Sequence, residues 1–250
     1  MRPLGPEHLG ALAWTLPLVV GSCWLGRRWL ARARDGRDPG GARKERALSV
    51  SWAIGVIGIN IASVVYWIMP ARYDLKVSLP LQLCDLACLM APLVFLTRWR
   101  LPRALVYFWG IGLSTQAFLT PTLNEPPPSA RYWLFWLVHL AIVGSAVYDL
   151  VVRRFRPTGR ELLWVVGVSI TWAGLMVWLN EAIGSNYGYV GRGDPDSPTI
   201  VDLLGPWPAR VFVMAAIGIA AFVCLWGVWP LWARLRRGSA TPGHARLHPE

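Results

Sequence analysis

In the stretch LPLQLCDLACLMAPL, residues 79–93, three polar side chains fall within four positions of an otherwise apolar run: Gln82, Cys84 and Asp85. A second apolar run, WLVHLAI, carries His139. A thiol and an imidazole are residue types of covalent acyl chemistry. The imidazole takes the thiol proton, the thiolate attacks a carbonyl, and the imidazolium protonates the leaving group. A thiol in apolar surroundings is inert unless such a base lies close by, and Gln116 or Asn186 could donate to the developing oxyanion. The same groups also suit a non-covalent role, in which Asp85, His139 and Glu181 bind an amphiphile or ion, or relay protons. In either case the candidate substrate-binding residues are Gln82, Asp85, Gln116, Asn180, Glu181, Asn186 and Tyr187.

Whether these groups can meet depends on the elements that carry them. Of the 250 residues 54% are apolar, 16 are Trp and only 16% are charged, against about 25% charged in a soluble domain. That composition implies a polytopic membrane protein. The net charge of +11 does not point to nucleic acid, because the basic residues lie in short clusters between apolar runs, as in membrane topology. The four cysteines, Cys23, Cys84, Cys88 and Cys224, all fall inside apolar runs, so neither a disulfide framework nor a zinc spacing is present. No cofactor motif is found, and the histidine pair His244 and His248 near the end of the chain is not read as a metal site.

A helix needs about 20 apolar residues to cross the hydrocarbon core. Such runs occur at 7–26, 47–69, 78–97, 102–120, 131–152, 161–183 and 208–232. The first is followed rather than preceded by arginines, which reads as a transmembrane helix and not as a cleaved signal. The expected fold is therefore all-α, a bundle of seven transmembrane helices over residues 1–233 with a basic, disordered tail at 234–250. Nineteen of the 25 Lys and Arg residues fall on one side, in 27–46, 98–103, 153–160 and the tail. The positive-inside rule then sets the N-terminus outside and the C-terminus in the cytoplasm of a cell-membrane protein.

With that direction, Cys84 lies about 9 Å below the outer surface and His139 about 12 Å, at 1.5 Å per residue. Gln116, Asn180 and Glu181 lie about 6 Å deep or less by the same rise. Polar groups at one depth on several helices imply a cavity in the outer half of the bilayer, open to a membrane lipid or a small amphiphile. The connection 184–207, GSNYGYVGRGDPDSPTIVDLLGPW, is either a lid over that cavity or an ordered loop. Oligomeric state is not legible.

The motifs LPLQLCDLA, GIGLSTQAFLTPTL, WLVHLAI, GSNYGYV and DLLGPWP, in this order between residues 79 and 208, resemble the YwaF-like family of bacterial integral membrane proteins. That family is distantly similar to eukaryotic transmembrane protein 164, a membrane acyltransferase thought to work through a cysteine. That protein in turn resembles membrane hydrolases of fatty-acid esters. The resemblance implies Cys84 as nucleophile in the third span and His139 as the histidine of the fifth. An offset of three residues in the Pro-containing segment would place Leu81 at the nucleophile position instead. The family commonly has His where this chain has Gln82, and glutamine cannot act as a base.

Overall fold

The computed structural model describes residues 5–121, 123, 125–193 and 199–238. Its helices are α1 (Pro6–Arg34), α2 (Gly41–Ile68), α3 (Leu83–Leu96), α4 (Arg100–Leu105), α5 (Ala130–Val151), α6 (Gly159–Ile183) and α7 (Ala209–Gly238). No strand occurs among the described residues. α1, α2, α5, α6 and the segment Ala209–Ala233 of α7 are long and apolar enough to cross a membrane, and the chain is a membrane protein. The DPDSP turn of residues 194–198 and the tail from 239 onward, with His244 and His248, lie outside the described residues.

The third and fourth apolar runs depart from the continuous helices expected of them. α3 has 14 residues and starts at Leu83, not Ser78. The N–H of Ser78 is used by the Asp74 carbonyl at 2.8 Å in a turn, and Pro80 has no N–H to offer a helix. The fourth run begins as α4, widens into a π-helical stretch at Val106–Ile111 and tightens into a 3-10 turn at Ser114–Phe118. Tyr107, Phe108 and Trp109 of the π stretch are all buried, because α3, α5 and α7 surround it. Gly110 lets α5 approach, a Cβ there being 3.2 Å from both Ile142 and Ala146, as small residues do in membrane bundles.

α5 is the central helix. Of its apolar window 61% is buried, against 6–22% for the other four long helices. Around it pack α1, α2, α3 and the π stretch, with Ala87, Cys88, Ala91, Phe95, Phe108 and Ile142 in the core. α7, the least buried helix, presents Val213, Ile217, Val223 and Val228 outward, an apolar surface that only lipid or another apolar face can cover.

One end of the bundle is held by arginines. Arg103 makes a two-toothed pair with Asp149 at 2.9 and 2.8 Å, Arg100 pairs with Glu161, and Arg153 donates to Glu45 at 3.1 Å. Ser49 and Tyr148 also donate to the Glu45 carboxylate, at 2.8 and 3.2 Å. Arg46 and Arg153 reach the Phe95 and Val94 carbonyls at 2.7 and 3.2 Å, closing the C-terminus of α3, where carbonyls lack helical partners. α7 joins through Tyr107, whose hydroxyl donates to the Leu225 carbonyl and accepts from Trp229 Nε1, both at 3.1 Å. Toward the other end α6 and α7 stand away from α2, α3 and α5, and a cavity fills the gap.

Candidate functional site

That cavity has a volume of about 1060 Å³, at the upper edge of the range typical of small-molecule sites. Its wall is mostly apolar, with Phe135, Val138, Val166, Val177 and Phe222 among the lining. Six of the residues singled out from sequence line it: Gln82, Cys84 and Asp85 at the head of α3, Gln116 in the 3-10 turn, His139 in α5 and Asn186 after α6. Asn180, Glu181 and Tyr187 do not.

Local structure explains the polar group at the start of α3. Gln82 is the N-cap and Asp85 the third residue inside, and the two form a capping box. The Asp85 carboxylate accepts the Gln82 N–H at 3.1 Å, satisfying a donor that the helix leaves unpaired and placing negative charge at the positive end of its dipole. The Gln82 side-chain oxygen Oε1 accepts the Gly188 N–H at 2.8 Å, which ties the loop after α6 to the start of α3.

Cys84 Sγ lies 3.9 Å from Ser114 Oγ, and no hydrogen bond joins it to His139. His139 donates from Nδ1 to the Phe135 carbonyl at 2.7 Å, one turn back. The contact puts a proton on Nδ1, so in the neutral ring the lone pair is on Nε2. The imidazole also packs on the Phe135 ring, centroids 4.4 Å apart. Asn186 accepts the Gly191 N–H on its oxygen at 2.9 Å, leaving its NH₂ able to donate. Ser114 is buried and was not among the residues singled out. It lies two positions before Gln116, so the depth argument that selected Gln116 reaches it too.

The three residues off the cavity build its roof or stand outside it. Asn180 is buried and holds the loop by three bonds. Its oxygen accepts from Ser185 Oγ at 2.7 Å and from the Tyr187 N–H at 2.8 Å, and its nitrogen donates to the Tyr187 carbonyl at 2.9 Å. Tyr187, fully buried, donates its hydroxyl to the Leu75 carbonyl at 2.7 Å and accepts the Leu79 N–H at 3.0 Å. Gly188 has φ +67° and sits against Trp172, so a Cβ there would collide with the indole. Glu181 points the other way, to an exposed pair with Arg192 at 3.0 and 3.1 Å. The described part of the loop is thus an ordered cover fixed on two sides.

A sequence model of the TMEM164 family matches residues 3–226. The chain belongs to the TMEM164 family. It is also 32% identical over 116 residues to an uncharacterized protein of Treponema pallidum (strain Nichols), a match covering 46% of this chain and 48% of that protein. The chain therefore spans about half the length of that relative. No solved structure matches it. Membership in the TMEM164 family extends over α1 through most of α7 and so includes every wall of the cavity.

Proposed function

We propose that this TMEM164-family protein, on the bacterial YwaF-like side of the family, is a membrane-embedded acyltransferase or ester hydrolase acting on a lipid. Cys84 is the nucleophile and His139 the base. The observation that carries the reading is the meeting of these two side chains, from α3 and α5, on one largely apolar cavity. The tautomer fixed by Phe135 makes Nε2 the nitrogen that takes the thiol proton as substrate brings the groups together. Sγ then bonds to the ester carbonyl carbon, the ester C–O bond breaks, and the departing alkoxide takes the proton from His139. A second hydroxyl, from a lipid in transfer or from water in hydrolysis, attacks the thioester. Its proton passes through His139 back to Sγ. Gln116 and the Asn186 NH₂ are the donors available to the oxyanion.

The accompanying topology is seven spans with the N-terminus outside, which sets the cavity in the outer half of the cell membrane. It is supported by the broken helix from Arg100 to Phe118, which starts at the arginine end and finishes at the cavity, where Gln116 lines the wall, and by the basic residues gathered at the opposite end.

One observation favours a second reading. The partner of the Cys84 thiol is Ser114 rather than His139, which suits a cavity that binds a small amphiphile or ion without covalent chemistry. Labelling of the purified protein with a lipid-like acyl electrophile, mapped by mass spectrometry, separates the two. An adduct on Cys84 that falls about a hundredfold in His139→Ala supports the enzyme. No adduct, or labelling indifferent to His139, leaves the binding site, which should tolerate Cys84→Ser.

A further inference from the structure

A second concavity, of about 480 Å³, lies at the arginine end, between Cys23, Trp24, Arg27, Arg28 and Ala31 of α1 and Val151 of α5. We propose that this groove binds the anionic head group of a membrane lipid. α1 has 29 residues and is about 43 Å long, well beyond the ~30 Å of hydrocarbon. Its apolar part ends at Gly26, so Arg27 and Arg28 sit at the depth of lipid phosphates.

Several of the arginines at this end are committed to the protein. Arg46, Arg100, Arg103, Arg153 and Arg156 each hold a carboxylate or a carbonyl. Of the carboxylates at this end, Glu45, Asp149 and Glu161 pair with arginines and Asp38 with Lys44. Arg27 and Arg28 have neither a hydrogen bond nor an ion pair among the described residues. Arg28 lies over the Trp24 ring at 4.9 Å, an arrangement that orients the guanidinium without using its donors. The groove keeps its width because Gly26 brings α1 against Tyr148 of α5 and Val152 just after it.

A lipid, rather than a free anion, is indicated by what runs away from the groove. Leu16, Val20 and Trp24 precede Arg28 at intervals of four, forming a row that winds about 40° per step around α1. They are 54, 66 and 55% exposed. This rail leads from the arginines into the hydrocarbon, where an acyl chain would lie along it. Basic pockets between helices at the cytoplasmic surface are the usual sites for acidic lipids.

The test uses the full chain in detergent, titrated with phosphatidylglycerol or with phosphatidylcholine of the same acyl chains, bound lipid being counted by native mass spectrometry. Phosphatidylglycerol should bind about thirtyfold more tightly, from two arginines near a surface. The preference should vanish in Arg27→Gln/Arg28→Gln and in Ala31→Glu, which places a carboxylate in the same groove. It should survive in Arg32→Gln/Arg34→Gln, further out on α1. An unchanged melting temperature checks folding, and Ala31→Glu carries the test if the double variant melts early. A preference that persists in both groove variants overturns the site. So does an equal loss in the outer variant, which would show diffuse positive charge only, or displacement of the lipid by millimolar inorganic phosphate.

Discussion

Replacing Asn180 by Ala should open the roof of the cavity while leaving the bundle folded. The Asn180 side chain makes three hydrogen bonds, with Ser185 Oγ and with the N–H and carbonyl of Tyr187. It is 2% exposed, so water cannot substitute for the lost amide without rearrangement. At roughly 1 kcal/mol net per bond, the change removes about 3 kcal/mol from the closed loop. Because the loop touches the bundle at a few identified points, that loss should appear as local opening and not as global unfolding. Three kcal/mol corresponds to about a hundredfold in the opening equilibrium. Hydrogen–deuterium exchange read by mass spectrometry should therefore accelerate about a hundredfold in a peptide covering 184–193. A peptide from the middle of α5 should be unchanged. Glu181→Gln, the adjacent residue with an exposed partner, is the control and should leave exchange in 184–193 nearly unaltered. Acceleration of less than about threefold in Asn180→Ala would mean that Tyr187 and Gln82 alone hold the loop. Equal acceleration in α5 would mean that Asn180 supports the bundle itself. Either result refutes the view of Asn180 as a roof clamp.

The Arg103–Asp149 pair offers a test at the opposite end. Either Arg103→Leu or Asp149→Leu leaves a largely buried charge without its partner, at a cost of about 3–5 kcal/mol. The double variant should cost clearly less than the two single losses together, as read from unfolding in detergent, and strict additivity would show that the pair contributes nothing. A third prediction concerns pH. The Thr199 backbone N–H and hydroxyl, then Arg210, hold the Asp202 carboxyl below its ordinary value. A depressed folded value means that its stabilisation is complete above the unfolded value of about 3.9 and disappears as pH falls through the folded one. The difference in melting temperature between the parent and Asp202→Asn should be constant from neutral pH to about pH 4 and close below it; a difference that widens on acidification would reverse the assignment.

Sequence alone was enough to determine that the chain is helical and belongs in a membrane. Crossing hydrocarbon demands long apolar runs whose backbone is satisfied internally, and this demand leaves an imprint residue by residue. Five of those runs fold as long apolar helices, within a few residues of the expected bounds for α5 and α6. Because rise per residue is constant in a helix, the sequence also places groups at a common level along the bundle. It grouped Gln82, Cys84, Asp85, Gln116 and His139, all of which line one cavity.

Direction around the helix was not legible. Asn180 and Glu181 share a depth, yet they stand about 100° apart, and one turns into the roof while the other meets Arg192 in the open. Nor could spacing reveal that Asp85 caps its own helix, that Ser114 is the neighbour of Cys84, or that the acidic residues Glu45, Asp149 and Glu161 are neutralised by particular arginines. Each of these depends on which faces of different helices meet. That is decided by packing over long sequence separations, with the wide π turn, Gly26 and Gly110 setting the close approaches. The tertiary structure therefore chose which polar groups face the cavity and which hold it in shape.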